Sequence, residues 1–420
     1  MILQKNFQQH FAFYLIKWVF ICTIIGLLAG SASAFFLISL EWLTNYREAN
    51  LWIVAALPLA GFIIGWVYHR YGESVVKGNN QLIEEILKPS KVIPLKMAPL
   101  VLWGTLMTHL FGGSAGREGT AVQMAGAIAD QFNFLFNFKP RDRKIILIVG
   151  ISAGFASVFG TPLAGAVFAL EVFLVGRMRY DALVPSFLVA VIASYTTHLW
   201  GAKHTIYDIG NIPEFSPEFI LYAIFAGVCF GLGSILFSKL MHVFSNLFKN
   251  NISYPPLRPF VGGIIVAAFV FITGSNKFIG LGIPTIEASF SENLPAYDFL
   301  IKIILTTLTL SAGFKGGEVT PLFFIGATLG NALSYFVPLP IGLLAGMGFV
   351  ALFAGATNTP LACILMGIEL FGADVGIYVA IACVIAYLTS GHNGIYSAQI
   401  IGTPKHLIKG RDKGKKLEEL

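Results

Sequence analysis

The sequence predicts an all-α, polytopic membrane protein made of two related halves with tilted and discontinuous helices. Hydrophobic residues make up 56% of the 420-residue chain and charged residues only 12%, and the mean hydropathy is +0.75. A soluble globule has too little interior to bury this much apolar surface, so the solvent must be lipid. The chain also contains 44 glycines, a content that favours close helix contacts and broken helices.

Apolar segments follow one another along the whole chain. Several are shorter than the ~20 residues that a straight span requires, and such short segments bounded by Gly, Ser, Thr or Pro are typical of discontinuous or steeply tilted helices. The run around residues 13–36 has no clear cleavage site for a signal peptide and is interpreted as the first span. The segments lie at roughly 11–44, 51–69, 97–111, 120–138, 145–175, 181–200, 217–248, 258–274, 297–313, 320–356 and 359–390.

The second half of the chain repeats features of the first. Three anchors recur in the same order at nearly constant separation, which indicates an internal repeat. They are Gly78-Asn79-Asn80 with Glu85 and Gly280-Leu281-Gly282 with Glu287, then Glu118 and Glu318 in glycine-rich segments, then Thr161-Pro162 with Glu171 and Thr359-Pro360 with Glu369. The predicted organisation is a first transmembrane repeat at 1–201, a linker at 202–216, a second repeat at 217–402 and a basic tail at 403–420.

The net charge of +6 comes from short basic runs between apolar segments. This distribution follows the positive-inside rule and predicts a multi-pass protein of the plasma membrane with cytoplasmic termini. It disfavours nucleic acid as a partner, because no basic surface runs along the chain. The four cysteines lie inside apolar runs and are interpreted as packing residues, and no metal or cofactor is expected. The basic runs are at 139–144, at Arg177 and Arg179, and at Lys405, Lys409, Arg411, Lys413, Lys415 and Lys416.

Glu118 is a carboxylate between two apolar segments, next to Arg117 and flanked by Gly116 and Gly119. A charge at membrane depth is costly, so it is expected to face protein or water and to have a function. The glycines remove bulk, so N–H groups at a helix end can point at an anion. The glutamate could occupy an anion site when charged and leave it when protonated, which would link anion and proton movement. The alternative is a surface ion pair between Arg117 and Glu118.

Glu318 has the same placement in the second half, after two glycines and before a long apolar helix. An ion pair with the nearby Lys315 is the alternative to a functional role. Thr320 followed by Pro321 has the chemistry of an N-cap followed by Pro at the first helical position, so Thr320 is either only a cap or a ligand.

Four other polar side chains need an interpretation. The Asn79 carboxamide can donate two hydrogen bonds to an anion, although Asn79 could equally be a helix cap or turn residue. Tyr396 offers a phenol donor beyond the last span, or would be an interface-belt tyrosine. Glu171 and Glu369 end apolar segments and are interpreted as helix-end ion pairs, and the sequence leaves open whether they join a proton path.

Three segments resemble the signature segments of the CLC family of anion channels and anion/proton antiporters. The resemblance covers the chain up to about Thr403. It implies two inverted repeats, a homodimer with one pore per subunit in the lipid bilayer, and Glu118 as the gating glutamate. It also implies an anion path at Asn79, Gly116, Arg117, Gly119, Val319, Thr320 and Tyr396. The segments are Gly116-Arg117-Glu118-Gly119, Thr161-Pro162-Leu163-Ala164-Gly165 and Gly316-Gly317-Glu318-Val319-Thr320-Pro321.

Several positions depart from the chloride-handling members of that family. Asn79 stands in place of their anion-coordinating serine, Thr120 in place of a proline, and Val172 in place of the second glutamate of chloride/proton antiporters. The aromatic-containing third segment is replaced by 318–320.

These changes resemble the fluoride-transporting branch, in which fluoride leaves as a proton enters and the cell becomes fluoride-resistant. In that branch Glu318 would be a second station for Glu118. Fluoride is smaller and more strongly hydrated than chloride, so it requires close, strong donors such as the Asn79 amide and the Thr320 hydroxyl. Glu318 would repel an anion when charged, so we expect it to be protonated or hydrogen-bonded when fluoride is near.

Two alternatives stay open at the level of sequence. The first is a chloride/proton antiporter or a passive chloride channel of the same fold. The second, an intramembrane hydrolase, rests on G-x-S-x-G matches at Ser114 and Ser152. Neither match follows a strand, and no acidic residue lies near His109 or His198 to orient a base. No H-E-x-x-H, P-loop or Rossmann pattern is present, so the sequence predicts a transporter and not an enzyme.

Overall fold

Helices form almost all of the regular structure in the computed structural model, which describes residues 2–214, 216–406 and 412–420, with side chains from residue 12 onward. Lys409 and Arg411 of the predicted basic tail lie outside the described residues. The helices are α1 (Ile2–Ala49), α2 (Leu57–Tyr71), α3 (Asn79–Leu87), α4 (Met97–Leu110), α5 (Glu118–Asp130), α6 (Phe132–Phe136), α7 (Pro140–Phe159), α8 (Pro162–Glu171), α9 (Leu183–Leu199), α10 (Pro217–Asn251), α11 (Leu257–Thr273), α12 (Ile283–Ala288), α13 (Asp298–Ala312), α14 (Val319–Leu333), α15 (Ile341–Thr357), α16 (Pro360–Phe371) and α17 (Gly376–Thr389).

Helix lengths confirm the predicted mixture of long and interrupted spans. Four stretches of the described chain are long and apolar enough to cross a membrane: Ala12–Ala49, Leu51–Tyr71, Tyr180–Leu199 and Pro217–Asn251. The first of them contains the run at 13–36 and confirms the predicted first span. Most other apolar helices are only 10–17 residues long, too short for a straight crossing.

The same break interrupts a helix pair in each half. Gly160 directly follows α7 with φ 70° and Asn358 directly follows α15 with φ 62°, the left-handed conformation that closes helices. A threonine and then a proline at the first position of α8 or α16 follow each break. The Thr-Pro repeat found in the sequence is therefore a matched pair of helix restarts.

Glycines bring helices into backbone contact, as the composition predicts. Helix α5 packs on α7, where a Cβ on Gly150 would lie 2.8 Å from the Gly126 Cα. Their counterparts α14 and α15 meet at Gly326 and Gly348, where a Cβ on either glycine would lie 2.0 Å from the other's carbonyl oxygen. No larger side chain fits at these crossings without separating the helices.

The carboxylates at the ends of α8 and α16 cap each other's helix. Glu171 accepts hydrogen bonds from the Leu361 and Ala362 N–H groups at 3.3 and 3.0 Å. Glu369 accepts from the Leu163 and Ala164 N–H groups at 2.9 and 2.8 Å. The predicted helix-end ion pairs are wrong, because each carboxylate is taken up by the unpaired N–H groups of the opposite helix start.

One basic residue of the 139–144 run is inside the protein. Arg143 is only 5% exposed, and its guanidinium forms ion pairs with Asp130 at 2.8 Å and Glu85 at 3.0 Å. This network ties the ends of α3 and α5 to the start of α7. The basic run at 139–144 therefore contains one buried structural arginine in addition to the charges that the positive-inside rule counts.

The segment after α17 returns to the first half. Strand β2 (Ile400–Ile401) pairs in parallel with β1 (Leu174–Val175), and Ile400 also pairs with Lys416 of the tail. In the predicted linker, residues 202–214 form no helix, and α10 begins at Pro217 after Ser216, whose hydroxyl accepts the Phe219 N–H at 3.3 Å.

Candidate functional site

The starts of α5 and α14 meet through a short backbone pairing. The Gly116 N–H donates to the Gly317 carbonyl at 2.6 Å, and the Gly317 N–H donates to the Gly116 carbonyl at 2.7 Å. The Gly116 amide is thus engaged within the protein, and this residue contributes space: a Cβ there would lie 3.0 Å from Glu118 Oε2. The pairing brings Glu118 and Glu318 together across 200 residues of sequence.

The Glu118 carboxylate lies at the N-terminus of α14. It is 1% exposed, and Oε2 accepts the Thr320 N–H at 3.0 Å and the Arg117 N–H at 3.1 Å. Its other oxygen accepts the Thr320 hydroxyl and lies 3.6 Å from Arg117 Nε. Because the group is buried and its closest donors belong to the other half, the surface ion-pair interpretation is wrong. A negative charge is stabilised here by the positive end of a 15-residue helix.

Thr320 is not the N-cap of α14. The helix begins at Val319, so Glu318 holds the cap position and Thr320 is the second helical residue. The backbone pairing at Gly317 turns the chain into the helix before Thr320, which leaves its hydroxyl free to reach Glu118. Val319 is 1% exposed and packs in the core.

Glu318 lies on the other side of the helix crossing, beside Asn79 and Gly119. A Cβ on Gly119 would lie 2.9 Å from Asn79 Nδ2, which is too close, and 3.7 Å from Glu318 Oε2, which is an ordinary contact, so glycine makes room for the Asn79 amide. Glu318 Oε2 and Asn79 Oδ1 are buried and have no hydrogen-bond partner among the described residues. No ion pair within 4.0 Å joins Glu318 to Lys315 in that part of the chain. Buried polar atoms are normally paired, so this cluster has capacity for an exchangeable proton or ligand.

Asn79 and Tyr396 face one cavity. Asn79 is the first residue of α3, and the cap position belongs to Gly78 with φ 55°, so the interpretation of Asn79 as a cap is wrong. Tyr396 is 5% exposed and is therefore not an interface-belt residue. The neighbouring Asn80 accepts the Ala398 N–H at 3.1 Å, which fixes the Tyr396 segment against the start of α3.

The two glutamates line different cavities. Glu118 and Thr320 line a cavity of about 20 Å³ with Arg117 and Tyr207, which we call the Arg117 cavity. An adjoining cavity of about 290 Å³ shares Arg117 and His204 with it. Glu318, Asn79, Tyr396 and Lys315 line a cavity of about 150 Å³, which we call the Asn79 cavity. The crossing of α5 and α14 separates the Arg117 cavity from the Asn79 cavity.

Two buried polar contacts, one of Thr120 and one of Lys302, were not predicted from the sequence. The Thr120 hydroxyl lies 2.6 Å from the Thr105 hydroxyl and links α5 to α4 directly after Glu118. Lys302, 0% exposed, donates to the Phe278 and Gly280 carbonyls at 3.0 and 2.9 Å. A lysine inside the apolar run 297–313 was the available signal for the second contact.

The serines of the hydrolase alternative are used in packing. The Ser114 hydroxyl donates to the Phe278 carbonyl at 2.9 Å, and the Ser152 hydroxyl donates to the Ser186 carbonyl at 2.8 Å. Both are fully buried inside the helix bundle. Neither presents an accessible nucleophile.

Known proteins resemble this chain over most of its length. The family described as voltage gated chloride channel matches residues 60–391. A chloride/fluoride channel protein of Pseudomonas syringae pv. tomato is 52% identical over 399 residues, which covers 94% of this chain and 88% of the relative. An H(+)/Cl(-) exchange transporter, ClcA, of Vibrio vulnificus is 26% identical and covers 84% and 82%.

Solved structures show the same architecture. A CLC-type fluoride/proton antiporter superposes with a TM-score of 0.89 and 34% identity, covering 92% of this chain and 98% of the other. A slow cyanobacterial Cl-/H+ antiporter has a TM-score of 0.76 and 19% identity, covering 89% and 94%, and shows the fold alone. These relatives are channels and transporters. The resemblance first drawn from three sequence segments is thereby confirmed, and the chain belongs to the voltage gated chloride channel family, the CLC fold of anion channels and antiporters.

Proposed function

We propose that this protein is a secondary active fluoride/proton antiporter that exports fluoride in exchange for protons and so gives fluoride resistance. The observation that carries the proposal is the position of the Glu118 carboxylate. It accepts the N–H and the hydroxyl of Thr320 at a helix N-terminus, which is where an anion would bind.

A carboxylate and a fluoride ion compete for the same donors. Protonation removes the charge of Glu118 and one of its acceptor positions, which weakens its hold on the Thr320 N–H and hydroxyl. Fluoride can then accept from both groups while the protonated side chain moves aside. Because proton and fluoride favour opposite positions of one side chain, their movements are coupled in opposite directions.

The donors around the path suit a small anion. Fluoride is strongly hydrated, so a site must replace its water with close donors that carry a strong positive charge density. The amide of Asn79 and the hydroxyl and N–H of Thr320 can approach an ion from the two sides of the helix crossing. Arg117 Nε, which is buried without a hydrogen-bond partner among the described residues, adds a positive charge next to Glu118.

The names of the relatives differ on the mode of transport, since one is a channel protein and one a proton antiporter. We favour antiport because Glu318 adds a second carboxyl group on the far side of the crossing. It gives the Glu118 proton a place to be exchanged next to the Asn79 cavity. A chloride/proton antiporter or a passive chloride channel of the same fold is the alternative.

The family fold supports a homodimer with one pore per subunit, in a bacterial plasma membrane with cytoplasmic termini. The Asn79 cavity would open toward the cytoplasm, because Lys77 lines it and Lys416 of the tail lies 3.7 Å from Glu84 of α3, the helix that begins at Asn79. The reciprocal capping by Glu171 and Glu369 supports two inverted repeats at 1–201 and 217–402, joined by the linker.

Ion efflux from reconstituted liposomes tests the function. Fluoride and chloride electrodes and a pH electrode follow one vesicle sample loaded with both anions. We expect fluoride efflux to drive proton uptake, with far slower chloride efflux. Fluoride efflux without any pH change would show a channel, and chloride efflux as fast as fluoride efflux would show a chloride transporter.

A further inference from the structure

Lys315 places an amino group in the Asn79 cavity. The residue lies in the turn between α13 and α14, three positions before Glu318, and is half-buried. Its Nζ lies 4.0 Å from the centre of the Tyr68 ring. Gly104 of α4 makes room for the side chain, since a Cβ there would lie 2.9 Å from Lys315 Cγ. The packing therefore directs the amine toward the cavity wall that Tyr68 forms.

The Lys315 amine has no anionic partner within the part of the chain that the structure describes. No carboxylate lies within 4.0 Å of Nζ, and no hydrogen bond from it to a described residue is present. The cation–π contact with the Tyr68 ring offsets only part of the cost of desolvating the amine. Lys302 differs, because it donates to two carbonyl groups and does not line the Asn79 cavity. The Lys315 amine therefore keeps donor capacity for water or for an anion in the cavity.

The neighbouring residues make an anion the better partner. Asn79 and Tyr396 line the same cavity with donor groups, and Glu318 opposes an anion whenever it is charged. A cation on the cavity wall offsets that repulsion and raises the local anion concentration. Lys77, which also lines the cavity, is already paired with Glu84 at 2.8 Å. Of the two lysines that line the cavity, Lys315 is thus the one that forms no ion pair with a carboxylate of the described residues.

We propose that Lys315 is an anion-binding residue of the Asn79 cavity, which holds a small halide before it passes Asn79 and Glu318. The identity of the anion as fluoride rests on the proposed function. The Tyr68 ring competes with the anion for the Lys315 amine, so the amine binds the anion weakly enough to release it. We therefore assign Lys315 to recruitment of the anion and not to the proton path between Glu118 and Glu318.

The test compares Lys315→Met, Lys315→Gln and Lys315→Arg with Lys96→Met, which removes an exposed lysine at the start of α4. Sodium fluoride is titrated calorimetrically into the purified full-length protein in detergent, and the fluoride KM and kcat are measured in liposomes. For Lys315→Met and Lys315→Gln we expect Kd and KM to rise about tenfold, the effect of losing roughly 1.4 kcal/mol of binding, with kcat within about twofold. Lys315→Arg and Lys96→Met should stay within about threefold of the wild type.

Two results would overturn the inference. One is an unchanged fluoride Kd and KM in a Lys315→Met or Lys315→Gln protein that elutes as the wild type does. The other is a fall in kcat alone, which would indicate a structural role. If the wild type binds fluoride without moving protons, the proposed antiport fails while the binding role of Lys315 is still measured by calorimetry. Chloride titration of the same variants shows whether the amine discriminates between the two halides.

Discussion

The starts of α5 and α14 are joined by one backbone pairing but have different side-chain chemistry. Gly116 and Gly317 exchange two hydrogen bonds, and a glutamate stands two positions after Gly116 and directly after Gly317. Glu118, however, receives three hydrogen bonds, two of them from Thr320 of the other half. Among the described residues, no donor of the first half bonds to Glu318, and its Oε2 has no hydrogen-bond partner there. The repeat therefore accounts for the paired backbone, and individual side chains account for the different hydrogen bonding of the two glutamates.

The difference follows from the residue two positions after each glutamate. In the second half it is Thr320, whose hydroxyl reaches across the crossing to Glu118. In the first half it is Thr120, whose hydroxyl instead lies 2.6 Å from Thr105 of α4 and does not reach Glu318. Two threonines at matching positions thus hold one glutamate in place and leave the other open to the Asn79 cavity. This asymmetry gives one carboxyl group a blocking position and the other an exchange position.

The largest effect is expected from removing the Glu118 carboxyl group, which occupies the blocking position. Glu118→Ala removes the carboxyl group held at the α14 N-terminus, so proton uptake coupled to fluoride efflux should fall at least ~100-fold. Fluoride and pH electrodes on the same liposomes measure it. Glu41→Ala, which removes an exposed carboxylate near the adjoining 290 Å³ cavity, is the control and should transport normally. Persistent coupled proton uptake in Glu118→Ala would disprove the exchange role.

A smaller effect is expected at the exchange position. Glu318→Gln keeps the size of the side chain but cannot carry a proton. Because Glu118 is retained, coupled proton uptake should fall only about tenfold, less than the ~100-fold or larger effect of losing a positioned acid-base group. The same liposome assay measures it, with the exposed Glu287→Gln as the control. Full coupled transport by Glu318→Gln would show that the two glutamates do not share one proton path.

Thr320→Val tests the contact that makes the halves unequal. It removes a hydroxyl that donates to a charged group, a contact worth about 1.5–3 kcal/mol, so fluoride affinity should fall about tenfold or more. Thr328→Val is the matched control, because that hydroxyl donates to carbonyl groups of its own helix, those of Phe324 at 2.7 Å and Ile325 at 3.4 Å. Calorimetric titration of sodium fluoride compares the two. Equal affinities in both variants would remove Thr320 from the anion site.

The smallest effect is expected at the two reciprocal helix caps formed by Glu171 and Glu369. Glu171→Gln and Glu369→Gln each weaken a helix cap, so each should lower the free energy of unfolding by about 1 kcal/mol without changing coupling. The free energy of unfolding should fall more for Glu171→Gln, because the Glu171 side chain is only 6% exposed. Thermal unfolding in detergent checks both variants. Loss of proton coupling in either one would place that carboxylate on the proton path and not in a cap.

Composition and residue spacing were enough to predict the class of the protein and the outline of its site. Composition alone requires a lipid environment, because polar residues are too few to cover a soluble surface. The repeated Thr-Pro pairs at 161–162 and 359–360 mark the matched helix restarts, since a proline at the first helical position acts locally. The cost of burying a charge in a membrane singles out Glu118 and Glu318 from their positions between apolar segments.

The contacts between distant side chains could not be predicted from neighbours along the chain. Thr320 donates to a carboxylate 202 positions away, Glu369 caps a helix 206 positions away, and Arg143 pairs with Glu85 58 positions away. Local propensity describes each of these residues as a cap, an end charge or a surface base, because it reads only neighbours along the chain. Their roles depend on which helix ends face each other across the two halves, and that is set by the packing of the glycine crossings.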